Sequence, residues 1–341
     1  VNQQDLLQAL ANELTDPNPR TLLRERDLAP YPALIQLIEK RFQMEKAEGK
    51  LLLPLLNTSH NQSVFVFSDF GGEHSKSLYR TYSFLVFAWN HAAFAQDEFR
   101  KIRTQYGLGT SEIAFKKLRE ARFENSINEY LRVCDFIPGM LLTIAVAKGV
   151  TNLFRLTPQE QTALNERYAH GGRPRSKPDL EKMLRVAHTS AYLLGWLSHP
   201  GQAALWMTDN DNIVANDQIA SRMYEYTVSV LPKYCDHKLE RLGYTRPETL
   251  DCAENFQDFL SVTDLAAGAI ESHLTHGGDE RLPSKGDNVL SWLGRHSIGL
   301  KKYSLLIEKS DQDDLQCCML RFRDTSSSEP PLRIGVQLDH S

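Results

Sequence analysis

Val64-Phe65-Val66-Phe67-Ser68-Asp69-Phe70-Gly71-Gly72 is the stretch that decides how this chain is read. Residues 64–67 are aliphatic and aromatic, the composition of a strand. Asp69 stands at the end of that run, and Gly71-Gly72 turn the chain at once. A strand that delivers a carboxylate to its end and then turns sharply opens many folds that transfer phosphoryl groups with a metal ion. Two further carboxylates have comparable settings. Asp209 closes the run Ala203-Ala204-Leu205-Trp206-Met207, and Asp264 opens the small-residue helix Leu265-Ala266-Ala267-Gly268-Ala269-Ile270.

Working outward, residues 79–88 are again rich in strand formers, so segments 63–69 and 79–88 read as an antiparallel hairpin with a long loop. Residues 91–105 read as a helix. Residues 139–147 read as a third strand, with a buried helix as the alternative. A loop covers 169–178, and a strong helix starts at Pro178-Asp179 with Leu180, Met183, Leu184, Ala187, Ala191, Leu194 and Leu197 on one face. A strand at 203–208, a helix at about 216–231 and a short strand near 238–243 follow. The tail 286–341 carries a helix and two candidate strands, 303–308 and 316–323, with Ser326-Ser327-Ser328 in a loop. At the front, Leu6, Leu7, Leu10 and Leu14 have helical spacing, and a second helix spans 31–47. The expected organisation is an N-terminal helical extension over 1–56, a core over 57–280 and a C-terminal extension over 281–341 packing on the core. The expected fold class is α/β: a mixed sheet of about five core strands with helices on both faces.

The 341 residues, 41% hydrophobic and 24% charged, are ordinary for a globular protein. No apolar stretch approaches the ~20 residues of a membrane helix. Val1-Asn2-Gln3-Gln4-Asp5 lacks the basic and apolar regions of a signal peptide, so a cytoplasmic location without membrane contact is expected. The cysteines Cys134, Cys235, Cys252, Cys317 and Cys318 show no CxxC pair, which argues against a zinc site and for reduced thiols. His273 and His276 lack an HExxH setting and read as a polar helix end. The net charge of −4 disfavours non-specific nucleic-acid binding by the whole surface. Two basic clusters stand out even so. Lys101, Arg103, Lys116, Lys117, Arg119 and Arg122 form one; Arg173, Arg175, Lys177, Lys182 and Arg185 form the other. Each is either a solvated face or a phosphate-binding one.

Phosphodiester hydrolysis needs charge neutralised on the phosphate and a water made nucleophilic. Mg²⁺, or Mn²⁺, does this with a few hard oxygen ligands from different elements. Asp69, Asp209 and Asp264 are the candidate catalytic and metal-ligating residues. Asp211 is a further candidate ligand, and Glu112 a fourth candidate catalytic acid. The plain alternatives are turn chemistry for Asp69 and for Asp209-Asn210-Asp211-Asn212, an N-cap for Asp264 and a capping acid for Glu112. Glu73, His74 and Lys148 are lesser candidates near the same strand ends. Lys116, Lys117, Arg119, Arg173, Arg175 and Lys177 are the candidate nucleic-acid contacts.

Four segments taken in order, Phe67-Ser68-Asp69-Phe70-Gly71-Gly72-Glu73, residues 112–118, Trp206-Met207-Thr208-Asp209-Asn210-Asp211-Asn212-Ile213 and Asp264-Leu265-Ala266-Ala267-Gly268-Ala269, resemble a bacterial and phage family of ribonuclease-H-like proteins of the retroviral-integrase superfamily. The resemblance covers roughly residues 60–275. It implies a ribonuclease-H-like core with acids on the first strand, the fourth strand and a late helix, at Asp69, Asp209 and Asp264. It further implies nuclease chemistry in mobile-element or anti-phage defence systems. Two departures stand out. Phe70 follows Asp69 where the family often has Glu, and Ala114 stands where a lysine is more usual. The expected function is therefore a Mg²⁺-dependent nuclease acting on nucleic acid, with a partner protein or second copy as a further expectation. The alternative is a catalytically silent ribonuclease-H-like module that binds partners. The absence of GxGxxG, GxxxxGK[ST] and GxSxG leaves little for a small-molecule enzyme.

Overall fold

A computed structural model describes residues 9, 11–22, 30–58, 61–151, 153–168, 176–209, 211–247, 254–276, 284–324 and 334–339. The hairpin expected from the opening stretch is its centre. β1 (Ser63–Gly71) pairs antiparallel with β2 (Tyr79–Ala88), and β2 pairs antiparallel with β3 (Gly139–Ala147). On the other side of β1 lie β4 (Ala203–Thr208) and β5 (Arg241–Thr245), both parallel to their neighbours. β6 (Leu300–Lys309) runs parallel to β3, and β7 (Leu315–Asp324) and β8 (Ile334–Asp339) continue antiparallel. The result is one mixed sheet of eight strands in the order β5-β4-β1-β2-β3-β6-β7-β8.

That is more than the five or so strands expected from sequence. The segment 281–341, read as an extension packing on the core, supplies β6–β8 to the same sheet, so no sheet boundary falls at 281. Residues 139–147 are a strand and not a buried helix. β3 is buried along nearly its whole length because both sheet faces are covered at this position, which erases the alternation that marks a one-sided strand.

The two faces carry different helices. One face holds α1 (Ala33–Ala47), α4 (Pro158–Tyr168), α5 (Lys177–Leu197) and α6 (Asp217–Val230), over a core that includes Val64, Val66, Phe84, Val86, Leu142 and Trp206. The other holds α2 (Ala93–Gln105), α3 (Ala121–Cys134), α7 (Glu254–His276) and α8 (Ser284–Gly294), over Phe67, Leu85, Phe87, Leu141 and Met207. Successive strand residues point to opposite faces, so each strand divides its side chains between the two cores.

Local signals explain the helix ends. The Ser176 side chain accepts from the Asp179 N–H, with Pro178 in the first turn of α5, and Asn216 caps α6 by accepting from Ile219. α5 is buried along most of its length and donates Trp196 Nε1 to the Arg20 carbonyl at 2.6 Å. Among the described residues no helix is long and apolar enough to cross a membrane. Cys134, Cys235, Cys317 and Cys318 are free thiols, and Cys252 lies outside the described residues. So do most of the first expected helix, the Ser326-Ser327-Ser328 loop, and Arg173 and Arg175.

Candidate active site

Register brings the first two acids together. β1 and β4 are parallel and pair from Ser63 with Ala203 through Ser68 with Thr208, so Asp69 and Asp209 are the next residues on adjacent strands. The Asp209 N–H still donates to the Ser68 carbonyl at 3.2 Å, and neighbouring strands lie about 4.8 Å apart. Both acids follow odd-numbered residues of their strands, Phe67 and Met207, that belong to the α7-side core, so alternation sends both toward α7. Beneath them Trp206 Nε1 donates to Ser68 Oγ at 3.0 Å and Thr208 Oγ1 to the Ser68 carbonyl at 3.1 Å, fixing the strand ends against each other.

Asp264 comes from the middle of α7. The expectation that it opens a helix is corrected: α7 starts at Glu254, so Asp264 is no N-cap. Its small-residue sequence packs α7 closely on β1 and β2 and also admits a second neighbour. A Cβ on Gly268 would stand 2.5 Å from the Phe115 ring, so glycine lets the segment before α3 lie directly on α7. The Phe115 N–H then donates to Asp264 Oδ2 at 2.5 Å. This contact brings Glu112 and Lys117 to the cluster. Glu112 lies in a loop before a single 3-10 turn, Phe115–Lys117, rather than at the start of a regular helix, and is close enough to raise the Asp264 pKa.

The electrostatics follow from like charges brought together with partial burial. The Asp69 carboxyl is held well above the usual range by burial first, then by the charges of Asp264 and Asp209. The Phe70 N–H, donating to Asp69 Oδ1 at 2.7 Å, opposes this without cancelling it. Burial likewise lifts Asp264 to about 6, against the Phe115 N–H, which favours its charged form. The two carboxyls are close enough for each to act on the other, and this adds to the rise at Asp69. The charges that act most strongly on Asp69 are those of two other carboxylates.

Asp211 goes elsewhere. Its Oδ2 accepts from Lys182 Nζ at 2.6 Å, and its Oδ1 accepts from the Ile213 N–H. Lys182 is 4% exposed, pairs with Glu73 as well and sits over the Phe70 ring. The reading of Asp211 as a metal ligand beside Asp209 is therefore corrected: it is an ion-pair partner on the α5 side. Lys182 and Glu73 thereby tie the loops that follow β1 and β4, the two strands that carry Asp69 and Asp209. α7 holds the same first loop through Thr275, whose Oγ1 accepts from Leu78, and through Glu271, 3.5 Å from His74. The turn itself requires glycine at Gly72, where φ is +80° and a Cβ would stand 2.0 Å from the Tyr79 carbonyl.

The basic candidates divide. Lys117 stands 3.7 Å from Glu112, and exposed Lys116 and Arg119 are its near neighbours in sequence. Lys177 begins α5 and so lies on the opposite face of the sheet from Asp69. Arg103 is structural, since it forms a fork of hydrogen bonds to Asp258 on α7. One feature was missed in the sequence. Asp69 pairs with Ser83, Ser83 with Thr143, and Thr143 with Ser304, so a polar row crosses the sheet beneath α7. Ser83 and Thr143 are fully buried and joined at 2.9 Å. Hydroxyls inside otherwise apolar strands are the signal that would have found them.

Hard carboxylate oxygens from three separate segments are a donor set suited to Mg²⁺ or Mn²⁺. Among the described residues, however, no three His, Cys, Asp or Glu side chains form a ready-made metal site. No protein-family model matches the chain, and no curated protein matches it in sequence.

Proposed function

We propose that this chain is a divalent-metal-dependent nuclease with a ribonuclease-H-like core. The observation that carries the reading is the meeting of Asp69, Asp209 and Asp264, with Glu112 beside Asp264, as carboxylates whose charges raise the pKa values of Asp69 and Asp264. Keeping like charges together costs stability, and functional sites are where such costs are found. The strand order supports the fold assignment: an antiparallel β1-β2-β3 meander, with β4 and β5 added in parallel beyond β1, is the order of a ribonuclease-H-like core. A role in a mobile-element or defence system, implied by the family resemblance, is part of the same proposal.

Asp69, Asp209, Asp264 and Glu112 would hold the metal, which would neutralise phosphate charge and lower the pKa of a water. The chain's own part is to present the three acids together, to align a phosphodiester through Lys116 and Lys117, and to hold both acid-bearing loops through Lys182. A second reading, a silent module that binds partners, is favoured by the raised pKa of Asp69 and by the lack of a ready-made ligand set among the described residues. The two separate in one assay of single- and double-stranded DNA and RNA with Mg²⁺, Mn²⁺ or EDTA. Cleavage that needs metal and disappears in Asp69→Asn supports the nuclease. Cleavage retained in purified Asp69→Asn, or none by the wild type under any of these conditions, rejects it.

A further inference from the structure

On the opposite face of the sheet, between α5, the start of β2 and the segment after β3, lies a cavity of about 650 Å³. Four cationic side chains line it, Arg80, Lys148, Lys177 and Arg185, against one carboxylate, Glu181. Glu181 is already engaged, accepting from Arg185 Nη2 at 2.6 Å. The rest of the wall is largely apolar, with Phe154 as its aromatic member.

Arg185 is the decisive residue. Its side chain is only 4% exposed, and its terminal nitrogens reach Glu181, the Val150 carbonyl and the Tyr82 hydroxyl. Its Nε is buried and makes no hydrogen bond among the described residues. A buried guanidinium N–H without an acceptor is costly, and it marks this wall of the cavity as short of acceptor oxygens. Lys148 adds a second sign of excess positive charge. Its pKa is lowered by burial and then by Arg80, against the weaker pull of Glu271 and Glu73. Its Nζ donates to the His74 carbonyl at 2.6 Å, which leaves further donor capacity.

We propose that this cavity is a binding site for a small organic phosphate of mononucleotide size, with its phosphate among Arg80, Lys148 and Arg185 and its ring beside Phe154. The volume lies within the usual range for small-molecule pockets. Several cations lining one cavity, with Arg80 near enough to Lys148 to act on it, suit a phosphate dianion better than a single carboxylate, and arginine matches phosphate oxygens with paired N–H donors. An apolar wall beside that charge calls for a ligand with a flat or apolar part, which inorganic phosphate lacks. The same phosphate-and-ring chemistry is offered by a free nucleotide and by the 5′-phosphorylated end of a strand.

The test is calorimetric titration of the full chain in EDTA with AMP, adenosine and inorganic phosphate. AMP should bind, and adenosine and phosphate should each bind at least about tenfold more weakly. Arg80→Gln and Lys148→Gln, both away from the buried core, should each weaken AMP about tenfold, the loss of one charge-assisted hydrogen bond. Asp69→Asn should leave AMP binding unchanged, so the outcome is independent of whether the chain is a nuclease. Competition with 5′-phosphorylated and 5′-hydroxyl oligonucleotides separates the sources. Displacement by the phosphorylated strand alone assigns the site to a strand end, and displacement by neither assigns it to a free nucleotide. Equal displacement by both strands, no AMP binding at millimolar concentration, or unchanged affinity in both cavity variants overturns the proposal.

Discussion

Two groups of charged side chains stand at the same end of the sheet, on its opposite faces, and they are built on opposite rules. On the α5 side, Lys182 is almost fully buried but has a carboxylate on each side, Glu73 and Asp211. On the α7 side, Asp69, Asp209 and Asp264 crowd together with Glu112, and the strongest charged influences on Asp69 and Asp264 are other carboxylates. The first group holds loops in place. The second stores repulsion that only a proton or a cation relieves. A buried charge with its counter-charge therefore reads as architecture, and buried carboxylates that raise one another's pKa read as a functional site.

The largest effect that would break this contrast is on activity. Asp69→Asn or Asp264→Asn keeps size and hydrogen bonding but removes charge, and should lower metal-dependent cleavage by about 10³-fold or more. Single-turnover rates at saturating metal are the measurement. Retention of activity would return Asp69 to the turn residue that its sequence also allows.

Next in size is Lys182→Met. It strips the cation from between Glu73 and Asp211 and should cost about 3 kcal/mol in urea unfolding, at the low end for broken buried pairs because Glu73 is 51% exposed. A cost below ~0.5 kcal/mol would show that the pair does not anchor the loops.

His188 supplies a smaller effect and the pH direction on the α5 side. It is buried between the Tyr234 and Tyr226 hydroxyls, and burial lowers its pKa from 6.5 to about 3. The folded state therefore holds it neutral. The stability it contributes is complete above pH 6.5 and is lost as pH falls from there toward 3. His188→Gln should lose about 1–2 kcal/mol at pH 7.5 and show a flatter acid limb in stability against pH.

The acid cluster runs the other way, with a smaller amplitude. Asp264, raised from 3.8 to about 6, destabilises the fold above pH 6, and the cost is relieved as pH falls through 6 toward 3.8. Asp264→Asn should thus gain about 1 kcal/mol at pH 7.5 in EDTA, a value discounted for partial exposure, with the gain gone by pH 3.8. Thermal melts across that range check it; a variant less stable than wild type at pH 7.5 would remove the repulsion from the account. Smallest of all, Lys116→Gln with Arg119→Gln should weaken nucleic-acid binding several-fold and reduce its salt slope by about 1–2.

The legible parts of the sequence were those with a local cause. Apolar and aromatic runs marked β1 to β4, and Pro178-Asp179 marked the start of α5. Asp69 and Asp209 were visible because each ends an apolar strand run. The N-cap reading of Asp264 failed because α7 begins before its small-residue stretch, in a segment whose sequence carries no such contrast. Lys182 was one member of a basic cluster, since the acids that define it, Glu73 and Asp211, are far away in sequence.

By itself the sequence determined that strands and helices would alternate around a hairpin ending in Asp69, because strand and helix periodicity and turn chemistry are local properties of the chain. Only the tertiary structure decided which acids meet. The parallel register of β1 with β4 sets Asp69 beside Asp209, and the space left by Gly268 lets Phe115 reach Asp264. It also decided that Asp211 faces Lys182, away from those acids. Asp209 and Asp211 are two residues apart in one short loop, and nothing local separates them. Their roles divide because the sheet has two faces, and which face a side chain meets is fixed by long-range pairing.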